Sequence, residues 1–176
     1  MKIISTKFSG LKIIKSKIYK DSRGYFRETF KKKFFKKEKF LFGCTSFSKK
    51  NVLRGLHIQN KFSQGKYVTV LKGKILDVVV DLRKNSKTFG KHYKIVLSSD
   101  NGKSIYIPPG FAHGFLGIKK QNIIFYFCTN YRSVKNEFGL RWNDKKLKIN
   151  WPIKKPILSK KDRNNISLSE YIKNHA

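Results

Sequence analysis

The apolar positions in the middle of the chain fall in short runs broken by turn residues. Tyr67-Val68-Thr69-Val70-Leu71 is apolar and β-branched, which suits a buried strand. Lys72-Gly73-Lys74 follows as a turn, and Ile75-Leu76-Asp77-Val78-Val79-Val80-Asp81-Leu82 reads as a second strand, so the pair predicts a hairpin. Tyr93-Lys94-Ile95-Val96-Leu97 is a further strand, ended by Ser98-Ser99-Asp100-Asn101-Gly102. Ser104-Ile105-Tyr106-Ile107 runs into Pro108-Pro109-Gly110, a firm turn signal. Gly114 to Ile118 and Asn122 to Phe127 continue the series. Many short strands at near-regular spacing predict a sandwich or barrel. Two stretches read as helix. Lys31 to Phe40 has Phe34, Phe35 and Phe40 loosely on one face and predicts a solvated helix. The tail from Ser167 to Asn174 predicts a short helix capped by Ser167 or Ser169. No repeat, linker or boundary interrupts residues 1–176, so one domain is expected.

Charge changes this picture less than its size suggests. The formal net charge is +31, which would suit a nucleic-acid or acidic-membrane partner. Only seven of the 41 basic residues are Arg, and the Lys are spread over the whole chain. Base and phosphate recognition favours the bidentate fork of Arg. The excess therefore reads as a solvated surface that also draws in anionic substrates. No run approaches the roughly 20 apolar residues of a membrane span. The first residues carry no secretion-type apolar core, and Cys44 and Cys128 have no metal-type spacing. The expectation is a cytoplasmic protein with reduced thiols. The chain has only ten Asp and Glu. Asp21, Glu28, Asp77, Asp81, Glu137, Asp144 and Asp162 all fall in segments with candidate chemistry.

The densest candidate is Asn51-Val52-Leu53-Arg54-Gly55-Leu56-His57-Ile58-Gln59. Arg54 and His57 are three apart, so strict alternation puts them on opposite faces of a strand. A bulge at Gly55 would bring both to one side. Arg holds phosphates, and a nearby His acts as a base. Lys66 opens a strand, and His113 follows the rigid Pro108-Pro109-Gly110 turn. Tyr126 lies in an apolar strand where its hydroxyl needs a partner. Taken singly, these are also a surface Lys, a packed His and a core Tyr. The four histidines, His57, His92, His113 and His175, offer no pair at tight ligand spacing. Side-chain acid–base chemistry without metal or cofactor is the expectation.

Several ordered blocks then converge. They are Asp21-Ser22-Arg23-Gly24-Tyr25-Phe26-Arg27-Glu28, Val52 to Gln59, Gln64-Gly65-Lys66, Asp77 to Arg83, Ile107 to Phe115, Trp142-Asn143-Asp144, Trp151-Pro152 and Leu158-Ser159-Lys160-Lys161-Asp162. With these blocks in order from about residue 2 to residue 163, the chain resembles the dTDP-4-dehydrorhamnose 3,5-epimerase family. The resemblance implies an all-β fold, a cupin-type double-stranded β-helix or jelly-roll barrel with a few short helices. It implies epimerisation at C3 and C5 of a nucleotide-linked 4-keto-6-deoxysugar, in a homodimer. By position, His57 would be the base, Asp162 its orienting partner and Tyr126 the acid. Lys66 and His113 would lie near the sugar. Arg54 and Arg23 would meet the diphosphate or nucleotide, Glu28 the nucleotide, and Glu137 and Lys161 the ligand site. Arg23 and Glu28 would reach the partner's site. One departure stands out. Phe42 and Cys44 occupy positions where the family usually carries Gln-x-Asn. Replacing two polar contacts points to the alternatives: a 3-epimerase, 5-epimerase or ketoisomerase on another nucleotide sugar. From another class, a non-catalytic sugar-nucleotide or nucleic-acid binder would bind without exchanging sugar protons.

Overall fold

A computed structural model describes residues 1–175, with the side chain of His175 outside the described part. The strands are β1 Lys2–Ser5, β2 Lys12–Lys15, β3 Ile18–Asp21, β4 Gly24–Arg27, β5 Phe42–Lys49, β6 Leu53–Gln59, β7 Lys66–Lys72, β8 Lys74–Asp81, β9 His92–Ser98, β10 Lys103–Ile107, β11 Phe111–Gly117, β12 Gln121–Cys128 and β13 Glu137–Gly139. Two helices follow, α1 Lys160–Arg163 and α2 Leu168–His175. One sheet runs β1-β2-β10-β7-β12-β5, the other β13-β6-β11-β8-β9, and β3–β4 forms a separate hairpin. Neighbouring strands are antiparallel throughout both sheets. This is the all-β, cupin-type architecture with few short helices.

Three apolar layers hold the sheets. Between them pack Val68, Val70, Ile105, Ile107 and Ile124 from one side and Ile75, Val79, Leu97, Phe111 and Phe115 from the other. Each such side chain, fully buried, contributes about 1.5–3 kcal/mol of transfer free energy. On the far face of the five-stranded sheet, Leu53, Ile58, Leu76, Val78, Val80 and Leu116 are covered by Leu140, Leu147, Trp151, Leu168 and Tyr171. Strand β8 is therefore buried on both faces, which is why its sequence is almost continuously apolar.

The expected hairpin of residues 67–71 and 75–82 is corrected: β7 and β8 lie in different sheets. The connecting Gly73 has φ +88°, and a Cβ there would sit 2.2 Å from the Gln121 carbonyl oxygen. Only glycine lets the chain turn from one layer into the other. The expected helix over 31–40 is also corrected. A single 3₁₀ turn, Lys32–Phe34, is all that forms. Phe35 is fully buried, packing with Phe30, Phe40, Tyr67 and Tyr106 at ring distances of 5.4–5.7 Å. Aromatic docking on the outer face of the six-stranded sheet outweighs a weak helical period. The tail helix forms as expected, and Ser167 is its cap. Its Oγ accepts from the Glu170 N–H, and the Glu170 carboxylate accepts from the Ser167 N–H at 2.6 Å.

Candidate active site

The site begins with a register fault. On β11, His113 and Phe115 are two apart, yet their partners on β6 are His57 and Arg54, three apart. One extra residue is accommodated at Gly55, whose φ is +114°. Parity changes there, so Arg54 and His57 share a face, as a bulge at Gly55 requires. The link between α1 and α2 clamps the bulge. The Asn165 amide donates to the Gly55 carbonyl at 3.1 Å, and the Gly55 N–H favours the ionised form of Asp162.

His57 Nε2 stands 2.6 Å from Asp162 Oδ1, linking β6 to α1 across more than a hundred residues. Ser159 caps α1 by accepting from the Asp162 N–H at 3.0 Å, and its hydroxyl donates to Asp162 Oδ2 at 2.9 Å. Burial would raise the Asp162 pKa, but His57, Ser159 and the Gly55 N–H hold it below the ordinary carboxylate value. An ionised carboxylate only accepts, so Nε2 carries a hydrogen, and in the neutral imidazole Nδ1 is then the nitrogen with the lone pair. His57 remains about a quarter exposed, while Asp162 is nearly sealed.

A second histidine–carboxylate pair lies beside the first. His113, opposite His57 in the ladder, is 2.8 Å through Nε2 from Asp77 Oδ2, and both are buried. Asp77 Oδ1 is buried without a hydrogen-bond partner. Asp77 was not assigned a site role from sequence. Its signal was there, since an acid inside an unbroken apolar strand must be paired or functional.

The opposite sheet supplies the phenol. The Tyr126 ring on β12 is 6.3 Å from the His113 ring, and its hydroxyl is 3.1 Å from Ser46 Oγ on β5. Burial and the charge of Asp77 raise the Tyr126 pKa, with Ser46 opposing, so the phenol keeps its proton. Lys66 on β7 is lowered by burial and pulled back up by Cys128, Glu137, Cys44 and Asp77. Glu137 on β13 accepts from Arg132 at 2.8 Å and from Lys161. Burial would raise Glu137, yet Arg132, Lys161 and the nearby His57 hold it at about 2. Arg54 stands at the rim, donating to Ser48 Oγ and the Phe47 carbonyl at 2.9 Å each.

Arg23 and Glu28 stand apart. Arg23, highly exposed at the tip of β3–β4, pairs with Asp21, and Glu28 pairs with Lys31 at 2.7 Å. Among the described residues neither meets the His57 cluster. Sequence reasoning missed Ser46, Ser159 and Arg132 as neighbours of the cluster. The Ser-x-x-Asp spacing of 159–162 was the one readable signal among them. Two surface cavities lie elsewhere. One, of about 410 Å³, is lined by Lys7, Ser9, Arg83, Ser86, Lys87 and Thr88. The other lies beside Trp142 and Trp151. In the first, Arg83 is already spoken for by Asp81. In the second, Asp144 accepts from three backbone N–H groups.

A cupin-type double sheet, with imidazole–carboxylate pairs on one layer and a protonated phenol on the other, defines the class: an isomerase of the epimerase kind. The family model described as dTDP-4-dehydrorhamnose 3,5-epimerase matches residues 5–170, and the chain belongs to that family. A dTDP-4-dehydrorhamnose 3,5-epimerase of Methanothermobacter thermautotrophicus is 42% identical, covering 93% of this chain and 92% of its own. The solved structure of a dTDP-6-deoxy-D-glucose-3,5-epimerase from Legionella pneumophila, in complex with dTDP-4-keto-L-rhamnose, superposes with TM-score 0.91. It is 41% identical and covers 96% of this chain and 93% of its own. A 3'-monoepimerase from Streptomyces bikiniensis, in complex with dTDP-quinovose, gives TM-score 0.89 at 26% identity, covering 96% and 88%.

Proposed function

We propose that this protein inverts C3 and C5 of dTDP-4-dehydro-6-deoxy-D-glucose, giving dTDP-4-dehydro-L-rhamnose. The observation that carries the proposal is the 2.6 Å His57–Asp162 bond on one sheet with a protonated Tyr126 on the other. A C–H beside a ketone is acidic because its carbanion delocalises onto oxygen. The free nitrogen of His57 removes that proton, and Asp162 steadies the imidazolium that forms. Lys66 and His113 stabilise the oxygen as it gains charge, and Asp77 fixes the His113 ring. Inversion needs a proton from the other face, which Tyr126 returns. Arg54 holds the diphosphate at the rim, while Glu137 and Lys161 border the sugar.

Residues 1–176 act as one domain, and the active form is a homodimer. In it Arg23 and Glu28, unengaged with their own cluster, reach the partner's nucleotide site. Free Cys44 and Cys128 thiols support a reducing, cytoplasmic setting. No helix of the described residues is long and apolar enough to cross a membrane.

The test is incubation with dTDP-4-dehydro-6-deoxy-D-glucose in deuterated water, followed by mass spectrometry and NMR. Deuterium at both C3 and C5 is expected. Exchange at one carbon alone selects a mono-epimerase, the reading favoured by the loss of polar groups at Phe42 and Cys44. Binding without exchange overturns both.

A further inference from the structure

The hydroxyl of Tyr126 stands in mostly apolar surroundings. On the inner face of its sheet, Tyr126 lies beside Val68 of β7, with Ile124 two residues back along β12. Val68 and Ile124 are fully buried, and neither can exchange a proton. Among the described residues the phenol oxygen has one hydrogen-bond partner, Ser46 Oγ at 3.1 Å. Ser46 pairs with Ile124 in the ladder, so it reaches the phenol diagonally across the same face.

Ser46 is placed differently from the phenol it touches. Strand β5 is the last of the six-stranded sheet, and Ser46 on it is half-buried, with exposed Thr45 and Phe47 as chain neighbours. A hydroxyl donates one hydrogen and accepts through two lone pairs. Ser46 uses one contact on Tyr126 and keeps the rest for water at the strand edge. Ser48, next on that face, is buried, and its oxygen accepts from Arg54 Nε at 2.9 Å. Ser46 is thus the hydroxyl that joins the phenol to solvent.

Inverting two carbons makes that link matter. At the first carbon His57 takes the C–H proton, and Tyr126 supplies the proton of the new C–H bond from the other side. The O–H bond of Tyr126 breaks, leaving a phenolate and an imidazolium. The second inversion needs a protonated phenol and a neutral imidazole again. With the sugar lying across the pocket, bulk water is kept from the phenolate. We infer that Ser46 recharges Tyr126 between the two inversions, while the sugar stays bound; this rests on the two-carbon reading above. The Ser46 O–H bond breaks as its proton passes to the phenolate oxygen. In the same motion Ser46 Oγ takes a proton from a water at the edge of β5, so no alkoxide accumulates. The hydroxide left behind is neutralised by the proton that His57 releases, and no net proton is gained or lost. Burial keeps the phenolate strongly basic, which drives the transfer. Ser46 acts through Tyr126 and does not touch the sugar.

The experiment uses the full chain with dTDP-4-dehydro-6-deoxy-D-glucose in deuterated water, comparing the parent with Ser46→Ala, Ser46→Thr and Ser46→Val. NMR and mass spectrometry of sugar released at initial rate give the exchange at each carbon and the fraction inverted at one carbon only. The parent is expected to release mainly doubly inverted sugar. In Ser46→Ala the first inversion is expected to stay within about fivefold and the second to slow about tenfold or more, so that singly inverted sugar is released. Threonine keeps the hydroxyl, and valine has its shape without it. Ser46→Thr is expected to match the parent's ratio of second to first inversion within about twofold, and Ser46→Val to match Ser46→Ala. A general loss of packing slows both inversions alike and leaves that ratio unmoved, because the same base and acid serve both carbons. A ratio in Ser46→Ala within about twofold of the parent overturns the relay, as does a Ser46→Thr protein that behaves like Ser46→Val. A parent that exchanges no sugar proton, or exchanges at one carbon only, fails the two-carbon reading and overturns the relay with it. The parent's own spectrum therefore separates that failure from a failure of the relay alone.

Discussion

Replacing Asp162 by Asn changes one charge and almost no shape. In the resting protein the Asp162 carboxylate accepts from His57 at 2.6 Å and from Ser159 at 2.9 Å, and its side chain is about 5% exposed. In the proposed reaction His57 takes the sugar proton, and a cation forms against that carboxylate. At an effective dielectric near 20, unit charges about 4 Å apart interact by ~4 kcal/mol. The amide keeps a neutral hydrogen bond of about 1 kcal/mol. Subtracting leaves a net loss in the transition state of up to ~3 kcal/mol, and ~1.5–3 kcal/mol, the contribution of a hydrogen bond to a charged group, gives the working range. That predicts a fall in kcat of roughly 10- to 150-fold. The loss is confined to the transition state, so KM is expected to change by less than about twofold and the melting temperature by a few degrees at most. The assay is initial-rate deuterium wash-in at C3 and C5, run beside thermal unfolding. A kcat within twofold of the parent protein would refute the role of the dyad. So would a KM that rises as much as kcat falls, because Asp162 would then be holding the ground state.

Tyr126→Phe removes the proposed source of the opposite-face proton. Its expected result is deuterium in recovered substrate, delivered back by His57 from its own side, with epimer formation down about 10²–10⁴-fold. NMR of the recovered sugar reads this directly, and unaltered epimer yield would exclude Tyr126 as the acid. Gly55→Ala places a Cβ 2.6 Å from Gly114 Cα and 2.7 Å from the His113 carbonyl oxygen, at φ +114°. Strain and overpacking together are expected to cost about 2–6 kcal/mol, measured by urea unfolding. Acid stability follows from Asp81. Burial opposes its ionisation, but hydrogen bonds from Arg83, Ser86 and Thr88 hold it at about 2 against an ordinary 3.8. Because the folded pKa lies below the unfolded one, this stabilisation is complete above about pH 4 and is lost as pH falls through about 2. Its size is about 2.5 kcal/mol. Asp81→Asn is expected to be less stable at pH 7 and to lose less stability on acidification between those limits, followed by unfolding at fixed pH steps.

The strands were readable because two-sided burial and short-range turns write themselves into local composition, as in β8 and the Pro108-Pro109-Gly110 turn. Even the bulge was legible, since three-residue spacing of Arg54 and His57 around a glycine allows few other ways to a common face. What local pattern lacks is information about layers. Nothing in Lys72-Gly73-Lys74 distinguishes a hairpin from a crossing between sheets; the close approach of Gln121 decides it. Phe35 looked like part of a solvated helix until Tyr67 and Tyr106 offered it a face to bury.

The site divides the same way. The sequence alone supplied the side chains that the proposed chemistry uses: an imidazole at 57, a phenol at 126, a carboxylate at 162, and the glycine that lets the first be aimed. Tertiary structure alone decided that Asp77 backs His113. It also decided that Arg132 and Lys161 share Glu137. Each of these pairs joins separate elements, and a hydrogen bond depends on distance in space, which the order of residues along a chain does not fix.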